Sequence, residues 1–264
     1  MELDTYSNSM IKTDMMNRKI KLSKHPKRIV CLVPSLTELL YDLGLDENVI
    51  GITKFCIKPT EWFRSKDRIG GTKNVNFEKI RNLNPDLIIG NKEENSKSDI
   101  EILEKDYNVW MSDINTYKEA LIAIQEIANI CNVSEKGKAL ISEIEIKRIE
   151  YSKTIEFNKK QSVLYFIWKS PYMVVGENTY INEMISLLGF KNCYAGVRYK
   201  ELSIEEITEL KPDYIFLSSE PYPFKEKHRE TMQELFPKSE VKLVDGEVFS
   251  WYGSRLLHAF KAPF

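Results

Sequence analysis

The stretch Asn76-Phe-Glu-Lys-Ile-Arg-Asn-Leu-Asn-Pro-Asp-Leu-Ile-Ile-Gly90 decides the fold, because it recurs as Ser203-Ile-Glu-Glu-Ile-Thr-Glu-Leu-Lys-Pro-Asp-Tyr-Ile-Phe-Leu217. Each copy begins with a short amphipathic helical pattern that carries an early glutamate, Glu78 or Glu205. A Pro-Asp pair follows at the same offset in both copies, and an apolar strand comes next. A duplicated helix–Pro-Asp–strand unit predicts two similar lobes, and a pair of lobes forms a cleft suited to binding a ligand.

The rest of the chain repeats this alternation. Continuous apolar runs such as 28–33 and 162–168 are typical of buried parallel strands, and helical patterns separate them. Ser35 and Glu38 are expected to cap the first helix. Ser134 to Asn158 is a charged helical pattern without Gly or Pro after Gly137. The sequence therefore predicts an α/β protein with two Rossmann-like lobes, mainly parallel sheets and one long joining helix. The predicted boundaries are 1–133, 134–160 and 161–264.

Composition excludes several classes of function. The 264 residues carry 38 basic and 39 acidic side chains, so there is no overall positive field to hold nucleic acid. The four cysteines are widely spaced and form no C-x-x-C pair, which excludes a zinc knuckle. Met1 to Arg28 is polar and lacks the apolar core of a signal peptide or a lipidation cysteine. We therefore expect a cytoplasmic location if Met1 is the native start, and an exported one if a signal was removed.

Enzymatic signatures are missing from the sequence. It contains no dinucleotide-binding fingerprint, P-loop, nucleophile elbow or H-E-x-x-H motif. The sharpest enzymatic hypothesis is a nucleophilic Cys56, which would need a nearby base such as His228 or His258 to form a thiolate. A cytoplasmic enzyme or corrinoid-handling protein that uses Cys56 thus stays as the alternative. The main expectation is a non-enzymatic binding protein without an intrinsic cofactor.

Several segments resemble the class III periplasmic substrate-binding proteins of ABC transporters. The opening Pro26-Lys-Arg-Ile-Val-Cys-Leu-Val-Pro-Ser-Leu-Thr-Glu-Leu-Leu-Tyr-Asp-Leu-Gly44 is similar to the start of that family. Val49 to Pro59, the first copy of the repeat and Ser254-Arg-Leu256 also resemble family segments, in the same order and at similar spacing. The resemblance is greatest to the cobalamin (vitamin B12) and iron–siderophore receptors with the helical-backbone metal receptor fold.

The resemblance implies a ligand, a partner and a location. The ligand would be a metal-bearing small molecule held between the lobes: cobalamin or another corrinoid first, and a ferric siderophore or haem next. Glu78 and Glu205 would dock on an ABC permease, although a glutamate in the first turn is also favoured by the helix dipole alone. The protein would be periplasmic or membrane-associated, and we expect a monomer.

The resemblance also implies that ligand contacts come from loops at strand ends, which agrees with the general rule for open α/β sheets. Large aromatic faces there would suit a broad, flat ligand, and an arginine would suit a ligand carboxylate or phosphate. His228 lies in a charged helical run, so a solvated helix face is expected for it. The alternative is that Cys56 or His228 is an axial ligand of cobalt or haem iron. The predicted contact residues are Pro34, Phe55, Cys56, Trp62, Trp168, Tyr172, Tyr222, Phe224, Trp251, Tyr252 and Arg255.

Overall fold

A computed structural model describes residues 10–22, 24–155 and 161–261, and the chain divides into two compact units. The first unit contains the described residues up to Ile114, together with Glu119–Ser142 and Tyr252–Ser254. The second contains Asn115–Lys118, Glu143–Trp251 and the described residues from Arg255 onward. A short segment near the C-terminus therefore belongs to the first unit, although its neighbours in sequence belong to the second.

The first unit is built on a parallel sheet. Its strands are β1 (Met10–Thr13), β2 (Lys19–Leu22), β3 (Ile29–Cys31), β4 (Val49–Ile52), β5 (Asp67–Arg68), β6 (Leu87–Asn91) and β7 (Val109–Ser112). Within the described residues, five of these strands form a sheet in the order β5-β4-β3-β6-β7, with parallel pairing throughout. The antiparallel hairpin β1–β2 stands apart from that sheet. The central strand β3 is fully buried, as its continuous apolar run predicts.

Helices cover this sheet. They are α1 (Pro34–Asp42), α2 (Thr60–Ser65), α3 (Phe77–Leu83), α4 (Lys97–Leu103), most of α5 (Tyr117–Ile130) and the first part of α6 (Ser134–Ser152). Helix α1 buries Leu36, Leu39 and Leu40, the spacing of one helix face. Each parallel crossover places its loop at the carboxyl edge of the sheet, where a ligand is expected.

The second unit has a mixed sheet. Its strands are β8 (Ser162–Trp168), β9 (Met173–Val175), β10 (Lys191–Asn192), β11 (Tyr199–Glu201), β12 (Tyr214–Ser218) and β13 (Glu240–Val244). Strands β8, β12 and β13 pair in parallel, whereas β9 pairs antiparallel with β8 and β11. Its helices beyond α6 are α7 (Tyr180–Leu187), α8 (Ile204–Leu210), α9 (Glu226–Leu235), α10 (Gly246–Ser250) and α11 (Leu256–Ala259).

The internal repeat is confirmed, and its Pro-Asp pair has the same structural role in both units. The carboxylate of Asp86, just before β6, accepts the backbone N–H groups of Lys27 and Arg28 at 2.8 and 3.0 Å. The carboxylate of Asp213, just before β12, accepts the N–H and the hydroxyl of Ser162 at 2.7 and 2.8 Å. Each aspartate thus fixes the start of the strand that pairs with its own.

Two local expectations are wrong. Helix α1 begins one residue early, with Val33 as its N-cap and Pro34 in its first turn, because proline is well suited to the first helical position. Ser35 therefore lies inside the helix and does not cap it. The long helix α6 ends at Ser152 rather than Asn158. The hydroxyls of Ser152 and Thr154 donate to the carbonyls of Ile149 and Tyr151 at its end, and such bonds compete with helix continuation. Residues 156–160 lie outside the described part of the chain.

Candidate functional site

Polar side chains line the carboxyl edge of the first sheet. Asn91, at the end of β6, donates from Nδ2 to the Ser112 hydroxyl at 3.0 Å, at the end of β7. Asn95 Oδ1 accepts the backbone N–H of Asn91 at 2.8 Å, and its Nδ2 donates to the Thr72 carbonyl at 3.0 Å. These residues are buried and hydrogen-bonded, as buried polar groups require. The edge is therefore a fixed polar platform.

Tyr252 is part of this platform. It belongs to the first unit, is 6% exposed, and places its hydroxyl near the side chains of Ser35 and Ser112. Burial raises the pKa of that hydroxyl, and the negative charge of Glu94 raises it further. The following residue, Gly253, has φ +92°, a left-handed conformation that favours glycine. The predicted contact residue Tyr252 is thus mostly buried, with its hydroxyl among the strand ends.

The loop after β4 alternates between exposed and buried side chains. Phe55 and Ile57 are 51% and 50% exposed, whereas Cys56 between them is fully buried. Pro34, the first residue of α1, is half-buried. Two neighbouring, half-exposed apolar side chains at the carboxyl edge form a surface that an apolar ligand could cover.

The thiol of Cys56 is engaged inside the first unit. Its Sγ atom lies 3.1 Å from the hydroxyl oxygens of both Thr37 and Thr53. Burial raises the pKa of Cys56, which disfavours the thiolate. A nucleophile or an axial metal ligand needs an accessible thiolate, so these surroundings support neither role. Cys56 instead contributes a small buried side chain beneath Phe55 and Ile57.

Trp62 is a structural anchor of the first unit. It is 1% exposed, and its indole N–H donates to the carboxylate of Asp46, which precedes β4. Its ring makes an edge contact with Tyr41 of α1 at a centroid distance of 5.4 Å. Trp62 therefore joins α2 to α1 and to the amino-terminal side of β4. Its ring is covered by protein, which leaves almost no surface for a ligand.

In the second unit, predicted aromatic residues come together at the end of β8. Trp168 is 41% exposed and contacts the half-buried Tyr222 at a centroid distance of 5.6 Å. Tyr222 contacts Phe224 at 4.8 Å, and Tyr172 contacts Phe166 of β8 at 5.8 Å. Trp168 and Tyr222 thus form an aromatic surface at the carboxyl end of a parallel strand, while Phe224 is buried behind them.

His228 lies behind the same aromatic group, and the expectation of a solvated face is wrong. It is 7% exposed, its Nδ1 atom accepts the N–H of Lys225 at 2.9 Å, and its ring packs on Tyr222 and Phe224. Burial lowers the pKa of His228, and nearby lysines, Lys169 first, lower it further. His228 therefore fixes the start of α9 in its neutral form, and its Nδ1 atom is not available to a metal.

Trp251 and Arg255 form a compact group with Glu247. The Arg255 guanidinium lies 5.2 Å from the centre of the Trp251 ring and 3.4 Å from the Glu247 carboxylate. All three side chains are largely buried: Arg255 is 9% and Trp251 6% exposed, and the Glu247 side chain is 13% exposed. The Arg255 charge is thus balanced within the second unit, and a ligand anion would compete with Glu247 for it.

A polar network that the sequence did not reveal lies at the end of β12. The Ser218 hydroxyl accepts from Tyr165 at 3.1 Å and donates to the Glu220 carbonyl at 2.5 Å. The Ser250 hydroxyl donates to the Glu220 carboxylate. Serine and glutamate after a strand are common in solvated loops. Only the hydrogen bonds between residues far apart in sequence, Tyr165 to Ser218 and Ser250 to Glu220, identify this network.

The two repeat glutamates are both exposed in the first turns of α3 and α8. Hydrogen bonds from its own backbone N–H and from Ser203 lower the pKa of Glu205, so its negative charge is maintained. Among the described residues, no group of three or more His, Cys, Asp or Glu side chains is arranged to hold a metal ion. No helix in the described ranges combines the length and apolar character needed to cross a bilayer.

Comparisons with known proteins agree with this two-unit α/β architecture. The sequence profile of the family described as "Periplasmic binding protein" matches residues 29–241. An "Uncharacterized ABC transporter substrate-binding lipoprotein YvrC" of Bacillus subtilis is 31% identical over 211 residues, which is 76% of this chain and 67% of that protein. A "Vitamin B12-binding protein" of Vibrio cholerae is 25% identical over 197 residues, covering 73% and 70% of the two chains.

Among solved structures, the periplasmic heme-binding protein RhuT from Roseiflexus sp. RS-1 has the same fold. The TM-score is 0.78 at 20% sequence identity, and the match covers 89% of this chain and 95% of that one. At this level of identity the likeness is one of fold alone.

Proposed function

This chain belongs to the periplasmic binding protein family, and we propose that it captures a cobalamin-type corrinoid for uptake. It is a substrate-binding protein of ABC transporters, a non-enzymatic family. One observation carries the proposal for the ligand: half-exposed aromatic side chains, Phe55 and Trp168, lie at the carboxyl ends of parallel strands in both units. Large aromatic faces at this position suit a broad, flat ring system.

The order of candidate ligands rests on chemistry and on relatives. A relative named as a vitamin B12-binding protein aligns with most of this chain, which favours a corrinoid over a ferric siderophore or haem. Haem uptake is the second candidate, because a protein described as heme-binding shares the fold. Neither Cys56 nor His228 offers a free axial ligand. The thiol is buried between two threonines, and the imidazole Nδ1 accepts the Lys225 N–H, which leaves the proton of the neutral ring on Nε2. Recognition would therefore depend on the ring faces and the ring periphery.

The transporter partner is proposed to contact Glu78 and Glu205. Both are exposed, both occupy the same position in their repeat copy, and both carry a negative charge that arginines of a permease could pair with. We further propose that the protein acts as a monomer outside the cytoplasmic membrane, next to that permease.

A ligand screen tests the proposal. The purified chain is titrated with cyanocobalamin, dicyanocobinamide, hemin, a ferric catecholate and a ferric hydroxamate, with calorimetry and visible absorbance as readouts. We expect a corrinoid Kd on the order of micromolar or tighter, about 8 kcal/mol of binding free energy. Hemin binding without corrinoid binding would reverse the order of ligands, and no binding to any of the five would refute the proposal.

A matched pair of variants places the ligand. Trp168→Ala removes the exposed ring at the end of β8, and we expect a loss of corrinoid affinity of roughly 5- to 30-fold. Leu235→Ala removes a side chain of similar exposure, 46% against 41%, from the end of α9 and should leave affinity unchanged. Equal effects of the two changes would argue against a ligand surface at Trp168.

A further inference from the structure

The turn that follows β6 holds one glutamate in a fixed position at the carboxyl edge of the first unit. The Asn91 Oδ1 atom accepts the backbone N–H groups of Glu93 and Glu94 at 2.8 and 3.1 Å. The Lys73 ammonium binds the backbone carbonyls of Glu93 and Asn95, which ties the turn down from the other side. Bonds from both sides leave this backbone little freedom, so the position of Glu94 is set before any ligand arrives.

The Glu94 carboxylate makes no hydrogen bond or ion pair with any of the described residues, although the charge of Lys73 acts on it from nearby. Its side chain is exposed to solvent, and the adjacent Lys73 is occupied by carbonyls rather than by this carboxylate. The neighbouring cation Lys92 is paired with Asp113 at 2.6 Å. Glu94 is therefore a carboxylate with unused acceptor capacity at an edge whose other polar groups are mostly satisfied.

Glu94 lies at the same carboxyl edge as Tyr252 and the loop that exposes Phe55, because its turn directly follows β6. Its charge raises the pKa of both the Tyr252 hydroxyl and the Cys56 thiol. Surrounding protein raises the pKa of the Glu94 carboxyl, Lys73 opposes that shift and Glu93 adds to it. A carboxylate that is reached by solvent yet crowded by protein gains much from a donor, because its own hydration is incomplete.

We propose that Glu94 is a specificity-determining residue that accepts hydrogen bonds from amide N–H groups at the ligand periphery and disfavours ligands whose periphery carries carboxylates. This inference rests on the proposed function, because it places the ligand over Phe55 at the same edge. A corrinoid bearing primary amides offers donors all around its ring. A ring bearing carboxylates, such as the propionates of haem, brings like charge to Glu94, and like charges at close range oppose binding.

The experiment compares two ligands that share one ring. Dicyanocobinamide carries amide side chains, whereas dicyanocobyrinic acid carries carboxylates on the same corrin with the same axial cyanides. The wild-type protein should bind the amide form at least about tenfold more tightly at neutral pH. Glu94→Gln keeps the shape and removes the charge, so the ratio of the two Kd values should narrow by about fivefold or more, chiefly through tighter binding of the acid.

Glu101→Gln is the matched control. Glu101 is an exposed glutamate on α4 of the same unit, 3.7 Å from Lys97, and its variant loses the same unit of charge. An unchanged unfolding midpoint shows that each variant is folded. A ratio that Glu94→Gln leaves unchanged, or that Glu101→Gln narrows equally, overturns the role of Glu94. If wild type binds both corrinoids equally, this inference alone fails; if it binds neither, the proposed function fails with it.

Discussion

The Nδ1 atom of His228 lies 2.9 Å from the backbone nitrogen of Lys225 and accepts its N–H. This bond satisfies a donor at the start of α9, where a helix leaves its first N–H groups without partners. The ring also packs against Tyr222 and Phe224, which support the exposed Trp168. Because only the neutral ring can accept at Nδ1, the aromatic surface of the second unit depends on an uncharged histidine.

We predict that stability falls with acidification and that His228 causes part of the fall. The pKa of His228 in the folded chain is below its ordinary value of 6.5, so the unfolded chain takes up a proton first as pH falls. The contribution of His228 is therefore complete above about pH 6.5 and is lost as pH falls below that value. The measurement is urea unfolding at several pH values between 7.5 and 5.

His228→Gln tests this assignment, since glutamine at the third helical position also accepts an N–H from the cap residue but does not titrate. The variant should be less stable at every pH through lost ring packing, with a flatter dependence on pH. Met232→Ala, which removes a buried side chain that does not titrate from the same helix, should lower stability but keep the wild-type slope. A wild-type slope in His228→Gln would assign the acid sensitivity to other groups.

The fold was predictable from local patterns, because each strand and helix is specified by residues that are close together in the sequence. The aspartate of each Pro-Asp pair binds the start of the neighbouring strand, and continuous apolar runs form buried parallel strands. The burial of His228 was missed because its segment is rich in charge. The spacing of His228 and Met232, four residues apart and both buried on α9, was the signal that could have revealed an inward face.

The candidate site was less predictable, because its side chains depend on contacts between distant parts of the chain. Nothing near Tyr252 in sequence shows that it joins the strand ends of the first unit. Trp62 resembles a loop aromatic until its bond to Asp46 is known. Glu94 lies in a run of lysine, glutamate and asparagine that resembles a solvated turn. Exposure is decided by tertiary packing, which a single sequence does not display.

We predict that Cys56 reacts slowly with iodoacetamide in the folded protein. Its thiol is fully buried and its pKa is raised, so both access and thiolate are scarce. Alkylation of Cys56, followed by peptide mass spectrometry at pH 8, should be at least about tenfold slower than that of free cysteine and should accelerate in urea. Cys56→Ser identifies the modified peptide. Alkylation faster than free cysteine would revive the hypothesis of a catalytic thiol.

We predict that Trp62 and Phe55 have opposite roles, although both were expected to touch the ligand. Trp62→Ala should cost roughly 3–5 kcal/mol of unfolding free energy, as is typical for a buried aromatic, and Trp62→Phe should cost less and leave corrinoid affinity unchanged. Phe55→Ala should change stability by less than about 0.5 kcal/mol and weaken corrinoid binding roughly 5- to 30-fold. Urea unfolding and calorimetry measure the two effects. Weaker binding by folded Trp62→Phe would contradict a purely structural role.

We predict that Glu78 and Glu205 act in transport and not in ligand capture. Glu78→Gln and Glu205→Gln remove negative charge from two exposed helix starts, so each should lower uptake of labelled cobalamin, and the double variant should lower it further. The assay uses vesicles that contain the cognate permease. The binding protein is added with enough cobalamin to saturate it, so that uptake reports docking and not ligand capture. Corrinoid Kd and the unfolding midpoint should stay close to wild type, and Glu101→Gln should transport normally. Full transport by the double variant would contradict the docking role. The two glutamates would then only stabilise their helices, through the positive end of each helix dipole.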